Sequence, residues 1–324
     1  MRSITKFCRL SLLAVAGSFL IVASCKKEKQ GNTTPCNTTV YAYRCVDTNY
    51  ANVYKPCTSG ILNTASGSLS TIGSFSAGWY TNQATFNNSD HCYYVFKKLG
   101  GYGYSNELIK INASGAGTSY TNAGTSACCA LVYNRVINKM YCSTEAGYIA
   151  ELTMSGGTFT TTNLVMPLHT IGDRLNMTVN NTTGDIYYPT VDSPSYHIEK
   201  YHPGATASVV VATGTGVWEV CGLRFNNNDN MLYAVTDDYP ISGSHFIKVN
   251  PGTGTITSTF MNYPVNVDYN SACIDPCANR YILSTAGVPS SGFGAKVIYQ
   301  YNMSGALLQH DSTVNFVMGL DADY

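Results

Sequence analysis

Residues 178–188 read TVNNTTGDIYY: a short apolar strand that ends in Asn180, a polar turn, and a second strand rich in tyrosine. The same phrase recurs along the chain, each time with Asn or Asp at the end of its first strand. These marker residues are Asn87, Asn134, Asn180, Asn226 and Asp275, spaced 47, 46, 46 and 49 residues apart. Asn and Asp suit such positions because their side chains hydrogen-bond the backbone of a tight turn. The chain is therefore predicted to be a repeat of β-hairpins.

A second phrase follows each copy of the first. It consists of a strand, a small polar turn and another strand, as in IKINASG at 109–115 and IKVNPGTG at 247–254. Four strands per unit of roughly 40 to 50 residues are typical of β-propeller blades. One such sheet cannot bury both of its faces alone, whereas blades stacked around an axis bury them against one another, and ring closure protects the edges.

The two ends of the repeat determine the predicted number of blades. Asp321 stands 46 residues after Asp275, in a first strand with no second strand behind it. Segments 39–44, 51–55 and 68–72 supply three more strands at the other end. We therefore predict an all-β, six-bladed propeller over residues 38–324, closed by N-terminal strands that pair with the C-terminal strand.

The first 24 residues are predicted to be a signal peptide. Three basic residues precede an apolar run, Leu10 to Ala23, which is short for a membrane span and ends in small residues. Residues 22–25, VASC, resemble the bacterial lipobox, and this resemblance implies that Cys25 is lipidated and becomes the first residue of the mature protein. The alternative is an ordinary signal peptide followed by a chance cysteine.

Residues 25–37 are predicted to be the lipidated cysteine and a flexible tether, because no apolar residue occurs at 26–35. The charged run KKEK at 26–29 resembles the surface-export signal of Bacteroidota lipoproteins, although those signals are usually more acidic. We expect an outer-membrane protein anchored through the lipid on Cys25, at the cell surface or, alternatively, facing the periplasm. The other interpretation of this run is a solvated linker that carries no targeting signal.

The charge balance argues against a nucleic-acid partner. The whole chain has 19 basic and 19 acidic residues, and three of the basic ones belong to the signal peptide, so the mature chain carries 16 against 19. No basic patch stands out. Abundant Tyr (25) and Gly (29) suit a β protein with many turns.

Ten cysteines follow Cys25, and an even number in an exported protein favours disulfides over metal or redox chemistry. Three pairs fit the repeat: Cys45–Cys57, Cys129–Cys142 and Cys273–Cys277. Spacing alone does not fix the connectivity, and Cys36, Cys92, Cys128 and Cys221 stay unassigned. A zinc site would need a second close pair besides Cys273 and Cys277.

One face of a propeller usually carries its function: the face with the loops that enter each innermost strand and the loops that join second strands to third strands. We call it the loop face and the opposite one the turn face. The second-to-third loops contribute aromatic and acidic residues: Tyr102, Tyr104, Asp192, Asp237, Asp238, Tyr239 and Phe293. Aromatic rings beside carboxylates and amides suit glycan or peptide binding. For the two tryptophans, packing between blades is the alternative. The predicted ligand-binding residues are Trp79, Tyr80, Asp173, Arg174, Trp218, Glu219, Tyr269 and Asn270.

Catalytic motifs are absent from the sequence: no nucleophile elbow, zinc-protease motif or phosphate-binding glycine loop occurs. The six histidines show no ligand spacing, so no metal and no cofactor are predicted. Residues 38–324 resemble the NHL-like and lactonase-like group of six-bladed propellers, a resemblance that implies the fold and its functional face. Lactonase-type members hold a channel metal, for which Asp173, Glu219, Asp268 and Asn270 are the candidates here.

The leading prediction is a non-catalytic binding or scaffold protein of the cell envelope, with a glycan, a peptide or a partner protein on the loop face. A metal-dependent, lactonase-like hydrolase is the first alternative. The second is a structural subunit of an envelope complex that makes contact through its outer blade edges. Fold alone does not decide among them.

Overall fold

The computed structural model describes residues 14–15, 18–19, 37–45, 55–77, 84–97, 105–124, 126–170, 176–192, 194–216, 219–237, 243–261, 265–287, 296–313 and 317–323. The chain divides into two units, residues 1–36 and 37–324. In the first, β1 (Ala14–Val15) pairs antiparallel with β2 (Ser18–Phe19). The described part of the chain holds no helix. Nothing in it therefore forms an apolar helix of membrane-spanning length.

The second unit consists of short strands joined by polar turns, as the repeat predicts. The strands are β3 (Thr39–Cys45), β4 (Lys55–Asn63), β5 (Ser68–Ala77), β6 (Ala84–Asn87), β7 (Cys92–Phe96), β8 (Glu107–Ile111), β9 (Gly117–Asn122), β10 (Cys128–Asn134), β11 (Lys139–Thr144), β12 (Ile149–Ser155), β13 (Thr158–Val165), β14 (Thr178–Val179), β15 (Ile186–Asp192), β16 (Ser195–Tyr201), β17 (Val209–Thr215), β18 (Glu219–Asn226), β19 (Met231–Asp237), β20 (Ser244–Val249), β21 (Ile256–Met261), β22 (Val265–Asp275), β23 (Arg280–Gly287), β24 (Lys296–Asn302), β25 (Leu307–Thr313) and β26 (Val317–Asp323).

These strands form sets of four, each of which we call a blade. Strands β14–β17, β18–β21 and β22–β25 are separate four-stranded sheets, and a fourth has the order β26-β3-β4-β5. The sets β6–β9 and β10–β13 share one eight-stranded sheet, because β9 and β13 pair in parallel at their outer edges. The count of six blades stays a prediction.

The inner strands lie side by side around the axis. Strand β6 contacts β10, and the contacts continue through β14, β18, β22 and β26 back to β6. The pairing of β26 with β3 runs from Val317 opposite Arg44 to Asp323 opposite Thr39. The prediction of an all-β propeller closed between its chain ends is confirmed. The third strand of the closing blade is β4, later than the predicted 51–55, because its pairing must extend to Ile61 opposite Tyr41.

Buried tyrosines connect successive blades through glycine bulges. The hydroxyl of Tyr281 on β23 donates to the carbonyl of Gly222 on β18, 2.7 Å away. Tyr93 on β7 donates in the same way to Gly319 on β26, at 2.5 Å. Both glycines have positive φ, +64° and +62°, and both strands shift register there. Only glycine adopts this conformation without strain, and the bulge turns its carbonyl toward the next blade.

The predicted Cys129–Cys142 disulfide is wrong. Both residues are buried and carry thiols rather than a disulfide, and the sulfur of Cys142 lies 3.3 Å from that of Cys128 instead. The cause is an irregularity in β10: Cys128 is opposite Thr144 and Leu131 is opposite Cys142, so the register slips by one residue between them. A one-residue slip exchanges the two faces of a strand, which turns Cys128 rather than Cys129 toward Cys142.

The predicted Cys273–Cys277 disulfide is also wrong, because Cys273 is a free thiol buried in the core with Ile282 and Leu320. Cys277 lies in the following turn and is disulfide-bonded, as is Cys57. Cys45 stands directly opposite Cys57 across β3 and β4. The side chain of Cys45 lies outside the described residues, so the Cys45–Cys57 bond stays a prediction.

Candidate functional site

Most of the predicted ligand-binding residues lie outside the described part of the chain: Trp79, Tyr80, Asp173, Arg174 and Trp218. Glu219 begins β18, half-buried and opposite Asp237. Tyr269 and Asn270 lie within strand β22, with Asn270 opposite Thr285, rather than in a loop before it. Their side chains are not among those described. This predicted set therefore stays a prediction.

The described residues of the loop face contain a different group: His169, Asp192 and His197. One nitrogen of each histidine and one carboxylate oxygen of Asp192 lie within 4.8 Å of one another. The two imidazole rings stack with their centroids 3.8 Å apart and their planes 16° from parallel. Asp192 is exposed, and both histidines are half-buried. We call these three residues the histidine cluster.

Strand register explains how the cluster forms. His197 is directly opposite Thr190 across β15 and β16, and Asp192 follows two residues after Thr190. Residues that are opposite each other, or two apart, share one face of a sheet, so His197 and Asp192 point to the same side. His169 comes from the loop after β13, where a bridge between Thr170 and Val191 ties it to the end of β15.

A buried carboxylate, Glu199, holds His169 of the cluster in place by hydrogen bonds. Its side chain has no exposed area, and its Oε1 accepts a hydrogen bond from His169 Nδ1 at 3.0 Å. The backbone amides of Leu168 and His169, at 2.9 and 3.0 Å, donate to it as well, as do the hydroxyls of Thr190 and Ser208. Burial alone would raise the pKa of Glu199, but the bonds from Leu168, Ser208, His169 and Thr190 outweigh it and lower that pKa. Glu199 is therefore an anion that fixes the orientation of the His169 ring.

His197 is held by the neighbouring strand. Its Nδ1 lies 2.9 Å from the hydroxyl of Thr213 on β17, and its Nε2 is buried without a hydrogen-bond partner among the described residues. Burial, together with the nearby His169, lowers the pKa of His197. The ring is therefore neutral at pH 7, which leaves lone pairs on the cluster available to a ligand.

Exposed apolar side chains stand next to the cluster along the chain. Met166 and Leu168 are 55% and 58% exposed, large values for such residues, and Leu168 directly precedes His169. The loop face thus presents apolar surface and lone pairs together.

Sequence reasoning identified the face but missed the cluster. His169 and His197 are 28 residues apart and come from a loop and a strand, so no short ligand spacing marks them. The alternation His197-x-Glu199 on a strand is the one local signal, because it places a carboxylate on the same face as an imidazole.

The central channel offers a different environment. A cavity of about 70 Å³ is lined by all the inner strands, and the charged side chains among its described lining residues are Arg135, Arg224 and Asp321. The guanidinium of Arg224 donates to the carbonyls of Leu223 and Leu320 at 2.9 and 3.3 Å. Among the described residues, two cations and one carboxylate thus line this cavity, a balance that does not favour a metal ion there.

Comparisons with known proteins give the fold class alone. No family model matches the chain, and no curated protein matches its sequence. A chain in the crystal structure of a nidogen/laminin complex is similar, with a TM-score of 0.60, 9% identity, and coverage of 88% of this chain and 98% of that one. TolB from Acinetobacter baumannii is similar with a TM-score of 0.60 and 10% identity, over 88% of this chain and 66% of that one. A putative 6-phosphogluconolactonase from Bacteroides uniformis reaches only 0.48, at 13% identity over 88% and 99% of the two chains, and supports no argument.

Proposed function

We propose that this chain is a lipid-anchored binding protein of the cell envelope whose propeller takes a glycan, a peptide or a partner protein on the loop face. The lipid on Cys25 and the tether at 25–37 hold the propeller near the outer membrane, at the cell surface or facing the periplasm.

One observation carries the proposal of a ligand on this face: exposed Met166 and Leu168 stand beside the histidine cluster and the exposed carboxylate of Asp192. Binding surfaces combine an apolar centre with a few polar groups that fix orientation, and this face offers both.

The test is capture by the purified full chain of glycans on an array and of envelope proteins by cross-linking. The variant Met166→Ser/Leu168→Ser should lose the captured ligand. The matched control is Val136→Ser/Ile137→Ser, which changes two residues that are 46% and 42% exposed in the turn between β10 and β11, on the turn face. Equal capture by all three proteins, or loss in the control alone, would refute a ligand on the loop face.

A metal-dependent, lactonase-like hydrolase remains the alternative function. The described residues give a channel metal no support, since the histidine cluster, the one metal-competent group found among them, lies on β15, on β16 and in the loop after β13, and none of its residues lines the channel cavity.

A further inference from the structure

We propose that the histidine cluster is a binding site for one zinc ion, or another late first-row divalent cation, with His169, His197 and Asp192 as its protein ligands. This inference goes beyond the proposed function, because it holds whether or not the loop face also binds a glycan or a protein.

The donor set fits this class of metal. Two imidazole nitrogens and one carboxylate oxygen are ligands that zinc takes readily, whereas calcium and magnesium require oxygen-rich sites. Tetrahedral zinc with bonds of about 2.0–2.1 Å places its ligand atoms about 3.3 Å apart. The three donors already lie within 4.8 Å of one another, so binding requires them to close by up to about 1.5 Å and one of the two stacked imidazoles to tilt until both lone pairs point at the ion. Three protein ligands leave the fourth position open to water or to a ligand.

Each histidine has one nitrogen already committed and the other free. His169 donates from Nδ1 to Glu199 and His197 uses Nδ1 against Thr213, which leaves Nε2 of both rings for the cluster. A carboxylate behind a ligating histidine fixes its tautomer and orientation in most protein zinc sites. Nε2 of His197 is buried and has no hydrogen-bond partner among the described residues, and coordination of a metal ion would give it one.

The repeat itself shows that the fold does not require Glu199. The next blade places His245 opposite Thr236, as this blade places His197 opposite Thr190. Two residues on, however, the next blade has the buried apolar Ile247 where this one has Glu199. His245 makes an edge contact with Phe260 across the strand, where His197 meets Thr213. Burying a carboxylate where the equivalent strand has isoleucine costs free energy of desolvation. Orienting a metal ligand is a function that would explain why the carboxylate is there.

The experiment is calorimetric titration of the untagged full chain with zinc, together with metal analysis of the dialysed protein. One zinc per chain is expected. With cobalt in place of zinc, the visible absorption of a four-coordinate site is expected. His169→Ala and His197→Ala should each abolish the stoichiometric site, and His245→Ala, the matched control in the next blade, should bind as the wild type does.

Two further variants separate ligation from folding. Asp192→Asn changes an exposed side chain, so it should leave the unfolding temperature unchanged and still weaken zinc. Glu199→Gln should weaken binding about 10- to 100-fold, as is typical of residues behind a ligand. Absence of stoichiometric zinc in the wild type, or unchanged binding in a His169→Ala/His197→Ala double variant, would overturn the proposal.

Discussion

Gly222→Ala tests the idea that the blades are joined by hydroxyl-to-carbonyl bonds at glycine bulges. Gly222 has φ of +64°, where a residue with a Cβ is strained by about 1–2 kcal/mol. The added Cβ would also collide with the hydroxyl of Tyr281 and stand 3.1 Å from the Cβ of Ala272. Tyr281 is fully buried, so it cannot turn toward solvent.

The magnitude follows from these contacts. Moving Tyr281 breaks its 2.7 Å hydrogen bond to Gly222 and leaves a buried carbonyl unpaired, which costs about 1–3 kcal/mol. With the backbone strain and the crowding added, we expect a loss of about 3–6 kcal/mol. At about 2–4 °C per kcal/mol for a domain of this size, the unfolding temperature should fall by roughly 6–24 °C.

Two comparisons isolate the cause in urea and thermal unfolding of the full chain. Gly147→Ala changes a glycine at φ +83° with no atom within 4 Å of the new Cβ, so it should show the backbone strain alone, about 1–2 kcal/mol. Tyr281→Phe removes the hydroxyl and should make Gly222→Ala less damaging in its presence, because contacting residues are not additive. If Gly222→Ala is no worse than Gly147→Ala, or if the double variant is strictly additive, the bulge does not join the blades in this way.

Three other outcomes are expected. Burial and the charge of Asp185 raise the pKa of Tyr187 to about 12, from about 10 in the unfolded chain. Its contribution to stability is therefore complete below pH 10 and is lost between pH 10 and 12. Tyr187→Phe should flatten the decline of the urea unfolding midpoint over that range, and an unchanged decline would contradict this. Mild oxidation with diamide should join Cys128 to Cys142 and lower the mass of the chain by two hydrogen atoms. Cys142→Ser should prevent this product and Cys129→Ser should not. If Cys129→Ser prevents it, the predicted Cys129–Cys142 disulfide is correct after all. Deleting residues 317–324 removes β26 from its pairing with β3, so the cooperative unfolding transition seen by circular dichroism should disappear, and a full transition would show that closure does not depend on β26.

The closure of the ring was predictable because spacing and topology carry it. Asp321 continues the series of marker residues at the same spacing, which marks its strand as an inner one, and β26 pairs with β3 as that assignment requires. The thiol pairing was not predictable in the same way. Whether Cys128 or Cys129 faces Cys142 depends on one irregularity inside β10, and nothing in the residue pattern CCALVYN marks its position.

The histidine cluster shows a different limit. Its face was predictable from the order of loops and strands, and Asp192 ends β15 where one of the loops that define this face begins. The partnership of His169 with His197 depends on a bridge between Thr170 and Val191, a contact between a loop and a strand end that has no periodicity to reveal it. Local patterns predict strands well, but they say little about how an irregular loop lies against a neighbouring hairpin.

A repeat protein nevertheless contains its own reference for finding such sites. Equivalent positions in successive blades show which residue types the fold accepts. A residue whose chemistry differs from its equivalent in the next blade therefore calls for an explanation other than folding. The strand position taken by Ile247 is satisfied by apolar packing, yet its equivalent Glu199 is a buried anion with five hydrogen-bond donors around it. Assembling that many donors around one charge is unnecessary for stacking a blade, since an aliphatic side chain does so next door. Stability therefore does not explain why Glu199 is present. Its role in orienting the His169 ring toward Asp192 and His197 does.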